Sequence, residues 1–376
     1  MRIHTAWFAA MMAAPLGAQT GTVVLEASRI VVAPRTVVTG DAAKIAMRGG
    51  QIVGVGTEIS RDALDGAKRI RFDGATIVPG LVVAHDYLDL GSDLGESIDA
   101  FTPSLVAADA FDPFDAALRR FADGGVTSVG LAPASENTFG GLGSVVQWHE
   151  DGGEVLLDTT YLKVALVQEA LDQNRYPTSR MGAADLVRRS FEEASAPLAN
   201  RDRDQRTLTD ALAGSRNVAI HARTEGEIVE AIDLCRELGI RPILLGGQHA
   251  NEHVDALRDL GASVVLGTLD FGDDLDRLRL PAILERAGVP FSFAGSHPIA
   301  LRRSAALAVR HGASRDAAMA ALTRVPAEQL GLADKIGGLR RGQNADLAVF
   351  SGDPIDLTSK RLAVFITGER VALEKE

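Results

Sequence analysis

The pattern of apolar and polar positions divides the chain into three stretches. From Thr22 to Ile77, short segments rich in β-branched residues alternate with Gly, Asp and Pro turns, which predicts strands. The next stretch alternates apolar runs of strand length with segments at helical spacing, which is typical of βα units around a parallel sheet. From Gly337 the pattern returns to strands, with a hairpin at Thr367-Gly368. The pattern therefore predicts an α/β fold between two β-rich chain ends.

The two β-rich ends are best explained as one small β-sandwich domain that both ends of the chain build. It comprises residues 19–78 and 337–376, and a hairpin is predicted at Arg48-Gly49-Gly50-Gln51. Residues 79–336 form the α/β body, which is inserted between the two parts of the small domain. We expect the chemistry to lie in the body, since the small domain carries no candidate catalytic residue.

The body contains one βα unit with a complete set of local signals. Residues 217–222 read NVAIHA and predict a strand that ends in His221. Thr224 and Glu227 then form a capping box, and Gly239 ends the helix that follows. This unit predicts a histidine at the carboxyl end of a buried strand.

Other element boundaries rest on single signals. Asp112 and Pro113 are predicted to cap and start a helix, and a second helix is predicted over Pro281 to Ala287. Residues 151–158 are poorly patterned, so no element is predicted there.

Composition and charge narrow the classes of partner. Of the 376 residues 46% are hydrophobic, which is enough to bury a sizeable core. The formal net charge of -11 and the pI near 5.3 argue against nucleic acid and against an anionic membrane surface, because both would repel the protein. A small-molecule substrate or ligand is the expected partner.

The first eighteen residues have the order of a secretory signal. A basic start at Arg2 precedes an apolar core and then a breaker at Pro15, with small residues up to the expected cleavage after Ala18. The apolar run is shorter than the roughly 20 residues that span a bilayer. We therefore expect export to a periplasmic or secreted location, without membrane attachment after cleavage. Cys235 is the single cysteine and is expected to be a small core residue.

Residues 75–90, ATIVPGLVVAHDYLDL, place polar side chains at the end of a buried strand. Pro79, Gly80, Leu81 and His85 match the opening strand of the amidohydrolase superfamily, which this stretch resembles. GLRRGQNADLAVFSGDP at 338–354 is similar to the closing signature of the same family. Four further segments resemble motifs of its exported, imidazolonepropionase-like branch: DAFTPSLVAADAFDP, TFGGLGSVV, YPTSRMG and AGSHPIALR. The resemblance implies a (β/α)8 TIM-like barrel as the body and hydrolysis of carbon–nitrogen bonds as the ancestral activity.

The resemblance also implies a divalent metal, with zinc the first choice, that polarises a carbonyl and activates a water. His85, His221 and Lys163 stand at expected ligand positions, whereas Tyr87, Gly246 and Ser296 replace a histidine, a histidine and the aspartate. Three further residues bear on this site: His249 as a substitute ligand or a surface histidine, His297 as a base, and Gln147 where relatives often carry a lysine.

The replaced ligands leave the function open between two classes. One is a carbon–nitrogen hydrolase with an impaired metal site, acting on a cyclic or non-peptide amide. The other is a non-catalytic binding module, or a partner subunit of an intact homologue, with no cofactor. A metal-free hydrolase that uses Ser296 and His297 is the weakest alternative, because adjacent strand residues point apart and no orienting acid is evident. Homo- and hetero-oligomers both remain open.

Overall fold

The computed structural model describes residues 21–196 and 201–372. The predicted export signal at residues 1–18 lies outside the described residues. The strands are β1 Val23–Ala33, β2 Thr36–Thr39, β3 Lys44–Arg48, β4 Gln51–Val55, β5 Lys68–Pro79, β6 Leu81–Asp86, β7 Val126–Leu131, β8 Phe139–Leu142, β9 Ser144–His149, β10 Gly152–Leu157, β11 Leu162–Ala165, β12 Val218–Ala222, β13 Pro242–Gly246, β14 Ser263–Gly267, β15 Phe291–Ala294, β16 Leu347–Phe350, β17 Arg361–Ile366 and β18 Glu369–Arg370.

The helices lie mainly between the later strands. They are α1 Arg61–Leu64, α2 Ala116–Asp123, α3 Arg180–Ser195, α4 Arg203–Leu212, α5 Glu225–Leu238, α6 Val254–Asp259, α7 Leu275–Ala287, α8 Pro298–Arg310, α9 Arg315–Leu322 and α10 Arg324–Gln329. Short 3-10 helices cover Gly40–Ala42, Gly56–Glu58, Gly91–Leu94, Ala107–Ala110, Gln168–Ala170 and Ala250–His253.

Strands from both chain ends share one sheet. Its order is β18-β17-β16-β5-β1-β3-β4, and β2 pairs with β1. The predicted hairpin between β3 and β4 is confirmed, because Arg48 pairs with Gln51 and both glycines between them have positive φ. The hairpin at Thr367-Gly368 is also confirmed, between β17 and β18. The sheet has an apolar core of its own, which includes Leu25, Ile45, Ile77 and Leu347.

The remaining strands form two sheets. One has the order β10-β9-β7-β6, and the other has the order β15-β14-β13-β12-β11-β8. The five strands from β11 to β15 pair in parallel, as do β6 and β7, which confirms the predicted βα alternation. The prediction of no element over residues 151–158 is wrong, because β10 lies there as an antiparallel partner of β9.

Two predicted helix starts are corrected. Asp115, not Asp112, caps α2, since its carboxylate accepts hydrogen bonds from the second and third amides of the helix. The helix predicted from Pro281 begins a turn and a half earlier, because Asp274 caps it, and Pro281 lies inside α7. The capping box of α5 and the left-handed Gly239 that ends it are confirmed.

One buried cluster takes side chains from both of the latter sheets and from α10. We call it the inner cluster; its members include Val82, Ala84, Val145, Tyr161, Ala219, Ile243, Leu245, Val265 and Ala327. A larger cluster lies on the other face of the strands, against the helices, and includes Cys235, which is buried as predicted. Across the part of the chain that the structure describes, no helix combines the length and apolarity needed to cross a membrane.

Candidate functional site

Polar side chains gather where the parallel strands end, above the inner cluster. We call this group the strand-end site; it consists of His85, Tyr87, Ser135, Tyr161, Lys163 and His221. The carboxyl ends of parallel strands are where α/β proteins place their ligand sites. The site therefore brings together all three residues that the sequence assigned to the metal.

A β-bulge aims His85 into this site. Val83 pairs with Val129 and Asp86 with Leu131, so β6 carries one residue more than β7 between the two pairs. Val82 and Ala84 belong to the inner cluster, and the extra residue lets His85 turn the same way. The neighbouring Asp86 carboxylate is buried and accepts a hydrogen bond from Leu88 N at 2.7 Å.

Ordinary two-residue alternation places the others. Lys163 lies on β11, and Tyr161 stands two positions earlier, directly before that strand. His221 and Ala219 are likewise two positions apart on β12. The two residues of each pair therefore share a face. Tyr161 and Ala219 belong to the inner cluster, so Lys163 and His221 point toward the same interior. Lys163 and Tyr161 are fully buried, whereas His221 is only half-buried.

Tyr87 is the hub of the hydrogen bonds. Its hydroxyl lies 2.9 Å from Lys163 Nζ, 3.3 Å from His85 Nε2 and 3.3 Å from Ser135 Oγ. Lys163 Nζ also lies 4.8 Å from the centroid of the Tyr87 ring and donates to the Pro133 carbonyl. Tyr87 is thus part of a connected polar network and does more than leave a ligand position empty.

The remaining contacts fix where the protons lie. Tyr161 donates its hydroxyl proton to the Ala84 carbonyl at 3.2 Å, so His85 Nδ1, 3.1 Å from the Tyr161 oxygen, must donate to it. A neutral imidazole carries one N–H, so His85 Nε2 accepts from the Tyr87 hydroxyl. Ser135 is left with its own proton, and its nearest acceptor is His221 Nδ1 at 2.8 Å.

Burial shifts the pKa of each of these groups. It lowers the pKa of Lys163 well below its ordinary value, and it raises the pKa of Tyr87 and of Tyr161. Burial, followed by the charges of Lys163 and His221, lowers the pKa of His85 well below its usual range. The pKa of His221 falls to about 3, through burial and then through Lys163 and Arg223.

This donor set does not fit a divalent metal. Both nitrogens of His85 are engaged by tyrosine hydroxyls, and Lys163 Nζ donates to the Tyr87 hydroxyl and to the Pro133 carbonyl. Within residues 21–196 and 201–372, no three His, Cys, Asp or Glu side chains lie together as a metal-binding group. A catalytic zinc usually needs three protein ligands.

Arg223 occupies the space beside His221 that a sixth-strand ligand would need. Gly246 ends β13 with φ of +97°, and a Cβ atom there would lie 2.9 Å from the Ala222 carbonyl and 3.1 Å from Arg223 Cγ. The Arg223 guanidinium pairs with the Glu169 carboxylate. His249 lies exposed beyond this position, in the turn before the 3-10 helix Ala250–His253, as a surface histidine would.

Ser296 and His297 are exposed at the end of β15 and the start of α8. His297 is the N-cap residue of α8, and its Nδ1 accepts a hydrogen bond from Ile299 N at 3.3 Å. The structure thus gives His297 the contacts of a helix cap, and it does not join the strand-end site. Gln147 lies elsewhere again, buried between Ser128 and Asp346.

Four residues at or beside the site were not predicted from the sequence: Tyr161, Ser135, Glu169 and Arg223. Alternation could have found Tyr161, which is two positions before Lys163, and Arg223, which is two positions after His221. Ser135 follows β7 in an irregular loop, so no periodic signal marks it.

Comparison with known proteins finds similarity to amidohydrolases in sequence and in fold. The sequence profile of the amidohydrolase family matches residues 287–372. Imidazolonepropionase of Acidiphilium cryptum is 28% identical, with 85% of this chain and 89% of that protein covered. An amidohydrolase of Thermotoga maritima has a solved structure that is similar with a TM-score of 0.82 and 27% identity, covering 94% of this chain and all of that one. The chain resembles the amidohydrolase superfamily in sequence and in fold.

The similarity indicates a hydrolase ancestry, and members of the superfamily are generally metal-dependent. A further relative, amidohydrolase tasK of Hapsidospora irregularis, is 24% identical over 79% of this chain, which spans only 36% of the length of that protein.

Proposed function

We propose that this amidohydrolase relative is a metal-independent protein whose strand-end site takes a small polar molecule. One observation carries the proposal. The hydroxyl of Tyr87 and the amine of Lys163 occupy the centre of the site, 2.9 Å apart, and hold the His85 nitrogen that a metal would need. The hydroxyl, amine and imidazole groups can exchange these hydrogen bonds for bonds to a polar ligand.

The fold supports this placement. We propose that β6, β7 and β11 to β15 belong to a (β/α)8 barrel over residues 79–336, with residues 19–78 and 337–376 as the small domain. The supporting features are that β15 lies against β6, and that the inner cluster takes residues from strands of both sheets. The strand-end site then lies at the mouth of the barrel, where bound molecules lie in this architecture. Export of the chain, expected from residues 1–18, is part of the same proposal.

The test compares metal with ligand binding on the purified protein. We expect less than one tenth of an equivalent of zinc per chain after purification, and no zinc-dependent hydrolysis of dihydrouracil, a cyclic amide. Calorimetric titration with zinc should give the same isotherm for the wild type and for His85→Ala with His221→Ala. Stoichiometric zinc that depends on these histidines, together with hydrolysis that the double variant loses, would overturn the proposal.

A second candidate is the partner subunit of an intact homologue. Large apolar side chains are exposed in the segments after strand ends: Ile98 at 86%, Met181 at 83%, Phe114 at 75% and Phe271 at 70%. Apolar side chains that form a protein–protein contact are exposed in the free subunit. If this candidate holds, Ile98→Ser with Phe271→Ser should lower the mass of the native complex in analytical ultracentrifugation, while the unfolding midpoint stays unchanged.

A further inference from the structure

Ser135 and His221 form a hydrogen-bonded pair at the strand-end site. Ser135 Oγ lies 2.8 Å from His221 Nδ1, within the range that marks a serine activated by an imidazole. The two residues come from different segments, the loop after β7 and the end of β12. Both side chains are half-buried, so they are reached by solvent, unlike the fully buried Lys163 beneath them.

The proton arrangement leaves this pair ready to react. Since the Tyr87 hydroxyl donates to His85 Nε2, the Ser135 hydroxyl is free to donate to another acceptor. The nearest one is His221 Nδ1 at 2.8 Å, compared with 3.3 Å to Tyr87 Oη. The Ser135–His221 contact is therefore the route by which the serine proton can leave, with Nδ1 as its acceptor.

Hydrogen-bond donors stand next to the serine oxygen. The Tyr87 hydroxyl lies 3.3 Å from Ser135 Oγ, and Lys163 Nζ donates to that hydroxyl at 2.9 Å. In the resting site the Tyr87 proton is donated to His85 Nε2. An oxyanion that develops on a molecule bound to the serine can take over this hydrogen bond, while Lys163 continues to donate to the Tyr87 oxygen. Donor, nucleophile and base therefore meet within one hydrogen-bonded group.

We infer that Ser135 is an acyl-accepting nucleophile for small carboxylic esters, with His221 as its base and Tyr87 as the donor to the oxyanion. The inference rests on the metal-independent site proposed above. Ser135 Oγ attacks the ester carbonyl and its proton passes to His221 Nδ1; the imidazolium then protonates the leaving alkoxide, and an acyl-serine ester remains. Water, deprotonated by His221, attacks this ester, and the Ser135 alkoxide leaves and recovers the proton.

The experiment treats the full-length protein with a fluorophosphonate, a probe that phosphonylates activated serines with loss of fluoride, and locates the adduct by mass spectrometry. We expect one adduct, on Ser135, unaffected by o-phenanthroline. Ser135→Ala should abolish it, and His221→Gln should slow its formation by about 100-fold or more, the usual effect of a general base. Ser296→Ala is the matched control, since Ser296 also adjoins a histidine, and it should label at the wild-type rate.

Circular dichroism must show that each variant is folded, and Ser135→Thr provides a second variant that retains the hydroxyl. Absence of an adduct on folded wild-type protein, or an adduct on Ser296, overturns the inference. Ester hydrolysis that requires added zinc overturns the metal-independent site itself. A metal-free protein that binds small molecules without labelling overturns only the role of Ser135, so the two failures are distinguishable.

Discussion

Tyr87 changes the chemistry of the strand-end site while its side chain still fills the position of the histidine. A histidine at this position would offer a metal ligand, whereas the phenol accepts from Lys163 and donates to His85. Its pKa is raised by burial, which disfavours the phenolate that could bind a metal. The substitution therefore replaces coordination with a neutral hydrogen-bond network.

Tyr87→Phe should lower the free energy of unfolding by about 1–3 kcal/mol, because buried donors and acceptors on Lys163 and His85 lose their partner. The measurement is urea unfolding followed by circular dichroism. Tyr176→Phe removes a hydroxyl from a side chain that is 48% exposed, and it should change the value by no more than about 0.5 kcal/mol. Equal losses in both variants would contradict the proposed network.

Gly246 carries a backbone requirement. Gly246→Ala should destabilise the fold by about 1–3 kcal/mol, because φ is +97° and the new Cβ would lie 2.9 Å from a backbone oxygen. Gly267→Ala is the matched control at the end of the neighbouring strand, where a Cβ has its nearest contact at 3.6 Å. Thermal unfolding of the two variants checks the difference; a stable Gly246→Ala protein would show that the backbone there is free to change.

Individual residues were predictable from the sequence only where a two-residue period holds. His221 and Lys163 follow that period on β12 and β11, and both reach the site. The inward turn of His85 needs the bulge in β6, which depends on pairing with β7 and leaves no mark in the local sequence. His297 could not be separated from a base by sequence, because a helix cap and a catalytic base can both follow a strand.

At the scale of elements, the N-terminus of α5 holds the segment next to His221. Glu227 Oε2 accepts from Arg223 N at 2.8 Å and from Thr224 N at 3.0 Å, while Thr224 Oγ1 accepts from Glu227 N at 3.4 Å. This capping box was predictable, because its residues are close in sequence. The start of α7 was not, since Pro281 favoured a later helix start and Asp274 decided the actual one.

Thr224→Ala should cost about 1 kcal/mol of stability through loss of the cap. It should also slow fluorophosphonate labelling of Ser135, because the segment that carries Arg223 and follows His221 becomes less well held. Asp202→Ala removes the other capping box, on α4, and should cost about the same stability. Its labelling rate should stay at the wild-type value; a matching fall in both rates would assign the effect to stability alone.

At the scale of the whole molecule, Asp346 joins the sheet of the chain ends to the body. Its carbonyl accepts from Gly80 N at 2.9 Å, and its carboxylate accepts from Thr367 N at 2.7 Å and from Gln147 Nε2 at 2.8 Å. These bonds reach the connection between β5 and β6, the hairpin between β17 and β18, and β9. The sequence predicted that both ends share a sheet but could not locate this junction, because its residues lie far apart in the chain.

Burial raises the pKa of Asp346 to about 6, above the 3.8 of a free carboxyl. The folded state then binds more protons than the unfolded state between these two values, so the free energy of unfolding falls as pH rises through this window. For a shift of this size the fall is at most about 3 kcal/mol. Asp346→Asn should remove this pH dependence. The free energy of unfolding of the wild type minus that of the variant, measured by urea unfolding, should therefore decrease from pH 4 to pH 6.

Asp356→Asn tests the opposite direction of pH dependence. Hydrogen bonds from the Thr358 backbone and side chain lower the pKa of Asp356, so its stabilisation is present above the unfolded pKa and is lost as pH falls through the folded one. The difference between wild type and this variant should therefore rise with pH near about 4, where a free carboxyl titrates. If the Asp346 difference also rose with pH, its carboxylate would be stabilised at the junction, and burial would not be the dominant influence on it.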